Sequence, residues 1–226
     1  MRNNVVRVAT RLAKAAGIRR PRFIRGERMA APVDARRIRT RRLTLRPHRI
    51  ADAAQWFELQ SHESVTEYLS WPVRDEAASL EHLRHRTRHT RLLQVDDFLA
   101  LAVELDGRLI GDVSLHLRTV GAGLRAAEVG WVQSPDFGHR GFATEAVNAM
   151  LDLAINELEA KWVYAVIRNE NMPALALAKR LGFVELTRDA IDVTLLVTPT
   201  LRAEQIHREN GVRQLRPTRL DARVSA

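Results

Sequence analysis

Gly138-His139-Arg140-Gly141 stands between a strand-like run and a long apolar-periodic one, and its residue types suit one task, holding an anion. Two glycines let a bulky oxyanion approach the backbone. His139 and Arg140 add donors and charge. If Phe142, Ala143 and Thr144 open a helix, their N–H groups lack partners inside it, and the helix dipole adds partial positive charge at the same place. A phosphate or diphosphate is the ligand such a loop takes. The second residue able to do chemistry is Glu128, in the run just before the loop. A carboxylate there can take a proton from an attacking nucleophile if its pKa lies near the working pH. Each feature has a plainer reading: a bare G-x-x-G can be an ordinary strand-to-helix joint, and Glu128 an ordinary solvent-facing carboxylate. Nucleotide loops of the G-x-x-x-x-G-K-[ST] and G-x-G-x-x-G kinds are absent from the chain.

The elements that must position these residues are legible as periodicity. Ala127 to Gln133 reads as a strand. From Ala143, the residues Ala146, Val147, Met150, Leu151, Ala154, Ile155 and Leu158 repeat at the spacing of one helix face. Residues 161–167 read as a further strand, followed by a helix over Met172–Arg180. Asn171 suits its N-cap, Pro173 its first turn and Gly182 its left-handed C-terminal residue. Phe98–Leu105 and Arg108–Leu117 flank Asp106-Gly107, a strong hairpin signal. Leu43 to Arg46 opens the domain as a strand, and Ile50 to about Gln60 reads as a helix. Glu76 to about Leu92 reads as a charged helix with His82, His85 and His89 on a solvated face. No glutamate or cysteine completes a zinc motif around that histidine stripe. Residues 183–187 and 191–197 close the fold as a strand pair.

Taken whole, Pro135 to Ala146 resembles the acetyl-CoA pyrophosphate loop of the GNAT N-acetyltransferase superfamily, whose pattern is [Q/R]-x-x-G-x-[G/A]. Gly141 and Ala143 match; Gly138 stands where the family has Gln or Arg. Ala143-Thr144-Glu145-Ala146 and Arg41-Arg42-Leu43-Thr44-Leu45-Arg46-Pro47 are similar to the branch containing ribosomal-protein N-terminal acetyltransferases. Glu67 to Pro72, with Tyr68 and Trp71, resembles the segment that faces the acceptor there. Asn171 through Phe183 resembles the family's second helix, with Ala174 in place of Ser and Ala178 where many relatives carry a tyrosine acid. The resemblance implies an α/β (α+β) fold: a mixed, mostly antiparallel sheet of six to seven strands with about four helices. The sheet would splay between strands 125–133 and 161–167. It further implies acetyl-CoA as co-substrate and no metal. Gly138, His139, Arg140, Gly141, Phe142, Ala143 and Thr144 would hold the diphosphate. Trp131, Val132 and Gln133 would lie along the pantetheine, Asn171 would bond it, and Glu128 would be the base.

Composition bounds the rest. With no cysteine, a thioester intermediate on the protein is excluded, and 46% hydrophobic residues can fill a core. Residues 1–42 hold 14 Lys/Arg and 2 Asp/Glu, for +12; residues 43–198 carry −6 and residues 199–226 carry +3. The expected division is a basic extension and linker (1–38), an acetyltransferase domain (39–198) and an irregular basic tail (199–226). Residues 1–20 fit either a solvated, partly disordered extension or a short basic amphipathic helix. No membrane span or secretory signal is expected, and the setting expected is cytoplasmic. The expected function is direct transfer of acetyl to a primary amine, either a protein N-terminus or a small cationic amine, by a monomer or homodimer. A degenerate CoA-binding module touching RNA or the ribosome weakly through its basic ends is the alternative.

Overall fold

Asp106 and Gly107, at φ 49° and 84°, make the tight turn of the central hairpin. Asp-Gly adopts this left-handed pair readily, and its twist suits the strands it joins. In a computed structural model, residues 27–69, 73–121 and 123–214 are described. The strands are β1 (Arg28–Asp34), β2 (Ile38–Arg39), β3 (Thr44–Pro47), β4 (Arg91–Gln94), β5 (Phe98–Leu105), β6 (Arg108–Thr119), β7 (Ala126–Gln133), β8 (Trp162–Arg168), β9 (Val184–Arg188) and β10 (Asp192–Val197). The helices are α1 (Ala53–Ser61), α2 (Glu63–Thr66), α3 (Glu76–Thr87), α4 (Phe142–Asp152), α5 (Met172–Arg180) and α6 (Pro199–Gln214).

Eight strands form the main sheet in the order β2-β3-β5-β6-β7-β8-β10-β9, and β1 pairs β4 in a separate ribbon. All neighbours in the main sheet are antiparallel except β7 and β8, which are parallel. Alternate residues of the strands face the main core. Leu101, Val113, Leu115, Val129, Val163 and Leu195 meet Val147, Met150 and Leu151 of α4 and Leu175, Leu177 and Ala178 of α5 there. A second core on the other side joins Ala102 and Leu109 to Trp56, Leu59, Val65 and Leu83 of α1, α2 and α3. Charged pairs lock that second layer. Arg46 reaches Asp52 at 2.7 Å and Glu104 at 2.6 Å, while Asp112 accepts from Arg86 at 3.0 Å and lies 2.8 Å from His48 Nε2. Buried charges persist when paired, because each partner replaces part of the water the other has lost.

Several elements differ from the sequence expectation. Residues 28–34, read as linker, form β1; Pro32 is compatible with such a ribbon because an edge strand does not need every N–H. The main sheet has eight strands rather than six or seven, since two-residue β2 adds to one edge. The helix read as reaching Leu92 stops at Thr87, and Leu92 belongs to β4. The histidine stripe is therefore not a solvated face. His89 leaves the helix, is buried, and stacks on Phe98 with ring centroids 3.7 Å apart, and its carbonyl accepts from the Ala100 amide at 2.9 Å. His82 packs beside Trp56 with centroids 5.5 Å apart, and only His85 is exposed. The long apolar stripe is α-helical to Asp152 and then widens into a π turn over Leu153–Glu157. Residues 199–214, read as irregular, form α6. The expectations for residues 1–26, Trp71 and residues 215–226 fall outside the described residues. Among the described residues, no helix is long and apolar enough to cross a membrane.

Candidate active site

The parallel pair β7–β8 matches only at Ala126–Trp162, Ala127–Val163 and Glu128–Tyr164. Past these residues the strands part. β7 stays bonded to β6 as far as Gln133 opposite Gly111, and β8 stays bonded to β10 as far as Arg168 opposite Asp192. Gly111 helps draw β7 aside: a Cβ there would lie 2.5 Å from the Val132 carbonyl oxygen, so only glycine permits this closeness to β6. The fork leaves the β8-facing edge of Val129–Gln133 without a strand partner. An extended, amide-bearing arm can bind such an edge as an added strand. Trp131, Val132 and Gln133 all lie on it, and with Val103, Gly111, Val113, Ala143 and Ala146 they line a small hollow.

β7 then runs into a 3-10 turn at Pro135–Phe137. The Ser134 amide donates to Ile110 O at 2.8 Å, Gly138 N to Pro135 O at 2.8 Å, and Gln133 Nε2 to Phe137 O at 2.7 Å. Two residues of the loop, His139 at φ 56° and Gly141 at φ 77°, are left-handed. Gly141 is the N-cap of α4, and its carbonyl accepts from the Glu145 amide at 3.0 Å. The amides of His139, Arg140, Gly141, Phe142, Ala143 and Thr144 have no hydrogen-bond acceptor among the described residues. Six free donors gathered at a helix start are an anion cradle. His139 and Arg140 are exposed beside it, whereas Phe142 is buried, with the Arg140 guanidinium 5.0 Å from the centroid of its ring. Asn171 caps α5, its Oδ1 accepting from Ala174 N at 3.1 Å, which leaves the side-chain NH₂ to donate elsewhere. Ala178 is fully buried and offers no acid at this point of α5.

Glu128 sits at the throat of the fork, the last β7 residue paired with β8. Its carboxylate accepts from Arg118 Nη2 at 2.6 Å and Nε at 3.0 Å and remains 23% exposed. It thus keeps contact with solvent while held in place. The register puts His116 opposite Glu128 on β6, Tyr164 opposite it on β8, and Ser114 opposite Gly130. A Cβ on Gly130 would stand 3.1 Å from Ser114 Oγ, so glycine leaves that patch open. Arg118, His116 and Tyr164 were not singled out from sequence as site residues. Counting back across the β6–β7 connection would have brought Arg118 and His116 to Glu128; Tyr164 needed the β7–β8 register, which no local signal gives.

The fold, the fork and the loop define a class. The sequence profile of the acetyltransferase (GNAT) domain matches residues 42–184, well over half of the chain, and the chain belongs to this family. It is an enzyme of the acetyl-CoA-dependent N-acetyltransferase type. It is 26% identical over 145 residues to the uncharacterized N-acetyltransferase YnaD of Bacillus subtilis, a match that covers 64% of this chain and 81% of that protein. Among solved structures, RimJ of Mycobacterium smegmatis in complex with CoA-disulfide superposes with a TM-score of 0.60 at 23% identity, covering 74% of this chain and 89% of RimJ. A GNAT-family acetyltransferase from Bacillus anthracis superposes with a TM-score of 0.60 at 19% identity, covering 72% and 98%.

Proposed function

We propose that the chain moves the acetyl group of acetyl-CoA directly to a primary amine within a ternary complex. One observation carries this reading: the unpartnered edge of β7 runs straight into the loop whose six amides lack acceptors. A diphosphate held at Gly138–Thr144 puts a pantetheine arm along Trp131, Val132 and Gln133, with Asn171 donating to it from α5. The thioester then lies at the throat beside Glu128. The amine nitrogen attacks the carbonyl carbon, the C–S bond breaks, and the amine proton passes to Glu128 directly or through water. The developing oxyanion draws on a β7 amide near Val132. No acid from α5 is required, since a thiol of pKa about 8.5 is a tolerable leaving group as its thiolate.

The acceptor is a protein N-terminus, as in the ribosomal-protein branch that the sequence resembles, or a small cationic amine, which the −6 charge of residues 43–198 attracts at long range. Turnover of acetyl-CoA against a panel of N-terminal peptides and small amines decides between them. The loop assignment has its own test. Gly141→Asp forces a side chain onto a left-handed residue beside Arg42 and brings a carboxylate next to the cradle, so CoA affinity falls at least about tenfold from loop distortion and like-charge repulsion. Unchanged CoA affinity in the folded variant rules out this loop as the diphosphate site.

A further inference from the structure

Thr40 and Arg42 precede β3 yet reach into the first turn of α4, 105 and 103 residues further along the chain. The Thr40 hydroxyl donates to Glu145 Oε1 at 2.5 Å, and the Arg42 amide donates to the same oxygen at 2.7 Å. Arg42 Nε donates to Glu145 Oε2 at 2.7 Å, and Arg42 Nη1 donates to the Arg140 carbonyl at 2.9 Å. The guanidinium also stands 4.4 Å from the centroid of the Phe142 ring. Its Nη2 lies 3.5 Å from where a Cβ on Gly141 would be. One cation from a distant segment therefore touches the loop, the helix cap and the first helical turn together. Burial pushes the Glu145 carboxyl up, but hydrogen bonds from Thr40 and Arg42 outweigh it and hold the group below its ordinary value.

The peptide bond turns this contact into a function. The Arg140 carbonyl and the Gly141 N–H belong to one planar trans unit and point in opposite directions. Whatever grips the carbonyl on one side aims the N–H to the other. The grip matters because His139, next to Arg140, is a non-glycine residue held in the left-handed region, a conformation that costs energy unless its surroundings fix it. We infer that Arg42 is a positioning residue for the co-substrate: by holding the Arg140 carbonyl it aims the Gly141 N–H into the diphosphate cradle, and Glu145, secured by Thr40, holds Arg42. The inference rests on the diphosphate reading of the loop above.

Calorimetric titration of CoA into the full-length parent, Arg42→Met, Glu145→Gln and the double variant tests it. Without the brace the binding form of the loop becomes a minority, and the apparent dissociation constant rises about tenfold in Arg42→Met. Because the two side chains act as one unit, the double variant binds about as weakly as Arg42→Met alone. The KM for the amine stays at the parent value, which a general loss of structure would not spare. Arg42→Lys keeps the charge but not the planar fork, so it also weakens CoA binding and serves where the methionine variant does not fold. A folded Arg42 variant with parental CoA affinity overturns the brace alone. A parent protein that does not bind CoA overturns the loop reading and the brace with it.

Discussion

His82 makes a quantitative case for acid sensitivity in the layer that covers the sheet. Its ring lies against Trp56 between α1 and α3. Burial, reinforced by Arg86 and Arg74 and opposed by Asp112, pulls its pKa down to about 3. In the unfolded chain a histidine titrates near about 6.5. The folded state therefore refuses a proton that the unfolded chain accepts. Stability from this group is complete above the unfolded value and drains away as pH falls from there toward the folded value. One differential proton changes stability by about 1.4 kcal/mol per pH unit, so about 2 kcal/mol is lost between about pH 7 and about pH 5. The depressed carboxylates, Asp52, Asp112, Glu145 and Glu185, lose their contributions only as pH falls through the carboxylate range and below, outside this window. Urea denaturation of the parent and of His82→Gln, followed by tryptophan fluorescence at both pH values, isolates the effect. The variant loses about 2 kcal/mol less than the parent over that interval. Equal losses in the two proteins would refute the reasoning.

Three other perturbations follow from the site. Glu128→Gln removes the proton acceptor while keeping the size of the side chain; kcat falls by about 10²-fold or more, and CoA affinity measured by calorimetry stays as it is. Gly111→Ala drives a methyl group against the Val132 carbonyl, so stability falls by about 1–3 kcal/mol and CoA binding weakens with it, as thermal melts with and without CoA will record. Asn171→Ala removes the cap of α5 at a cost of about 1 kcal/mol in chemical denaturation, with a weakened CoA affinity besides.

The strand–loop–helix unit was legible because three local signals agree there: an alternating run, a glycine loop and a stripe that stays apolar over four turns. Asn171, Pro173 and Gly182 likewise bounded α5 at the residues found, because capping is local chemistry. What sequence could not supply was register. Tyr164 sits beside Glu128 only because of how the parallel strands β7 and β8 align. The Thr40–Arg42–Glu145 contact depends on two segments that lie more than a hundred residues apart. The histidines of α3 were misread for a related reason. A stripe of charge normally faces water, but here Trp56 packs against His82 and Phe98 stacks on His89, and only His85 stays exposed. β1 and α6 escaped notice because proline interrupts the first and a polar, weakly periodic composition hides the second.

The main sheet is two sheets, one of five strands and one of three, spliced through three residue pairs. A molecule that bridges the gap past Glu128 therefore becomes a structural member, and its binding free energy is added to that of folding. At a hundred times its dissociation constant such a molecule raises stability by about 2.7 kcal/mol. Melting temperature thus doubles as a readout of donor choice: a library of acyl thioesters can be ranked by thermal shift before any acceptor amine has been found.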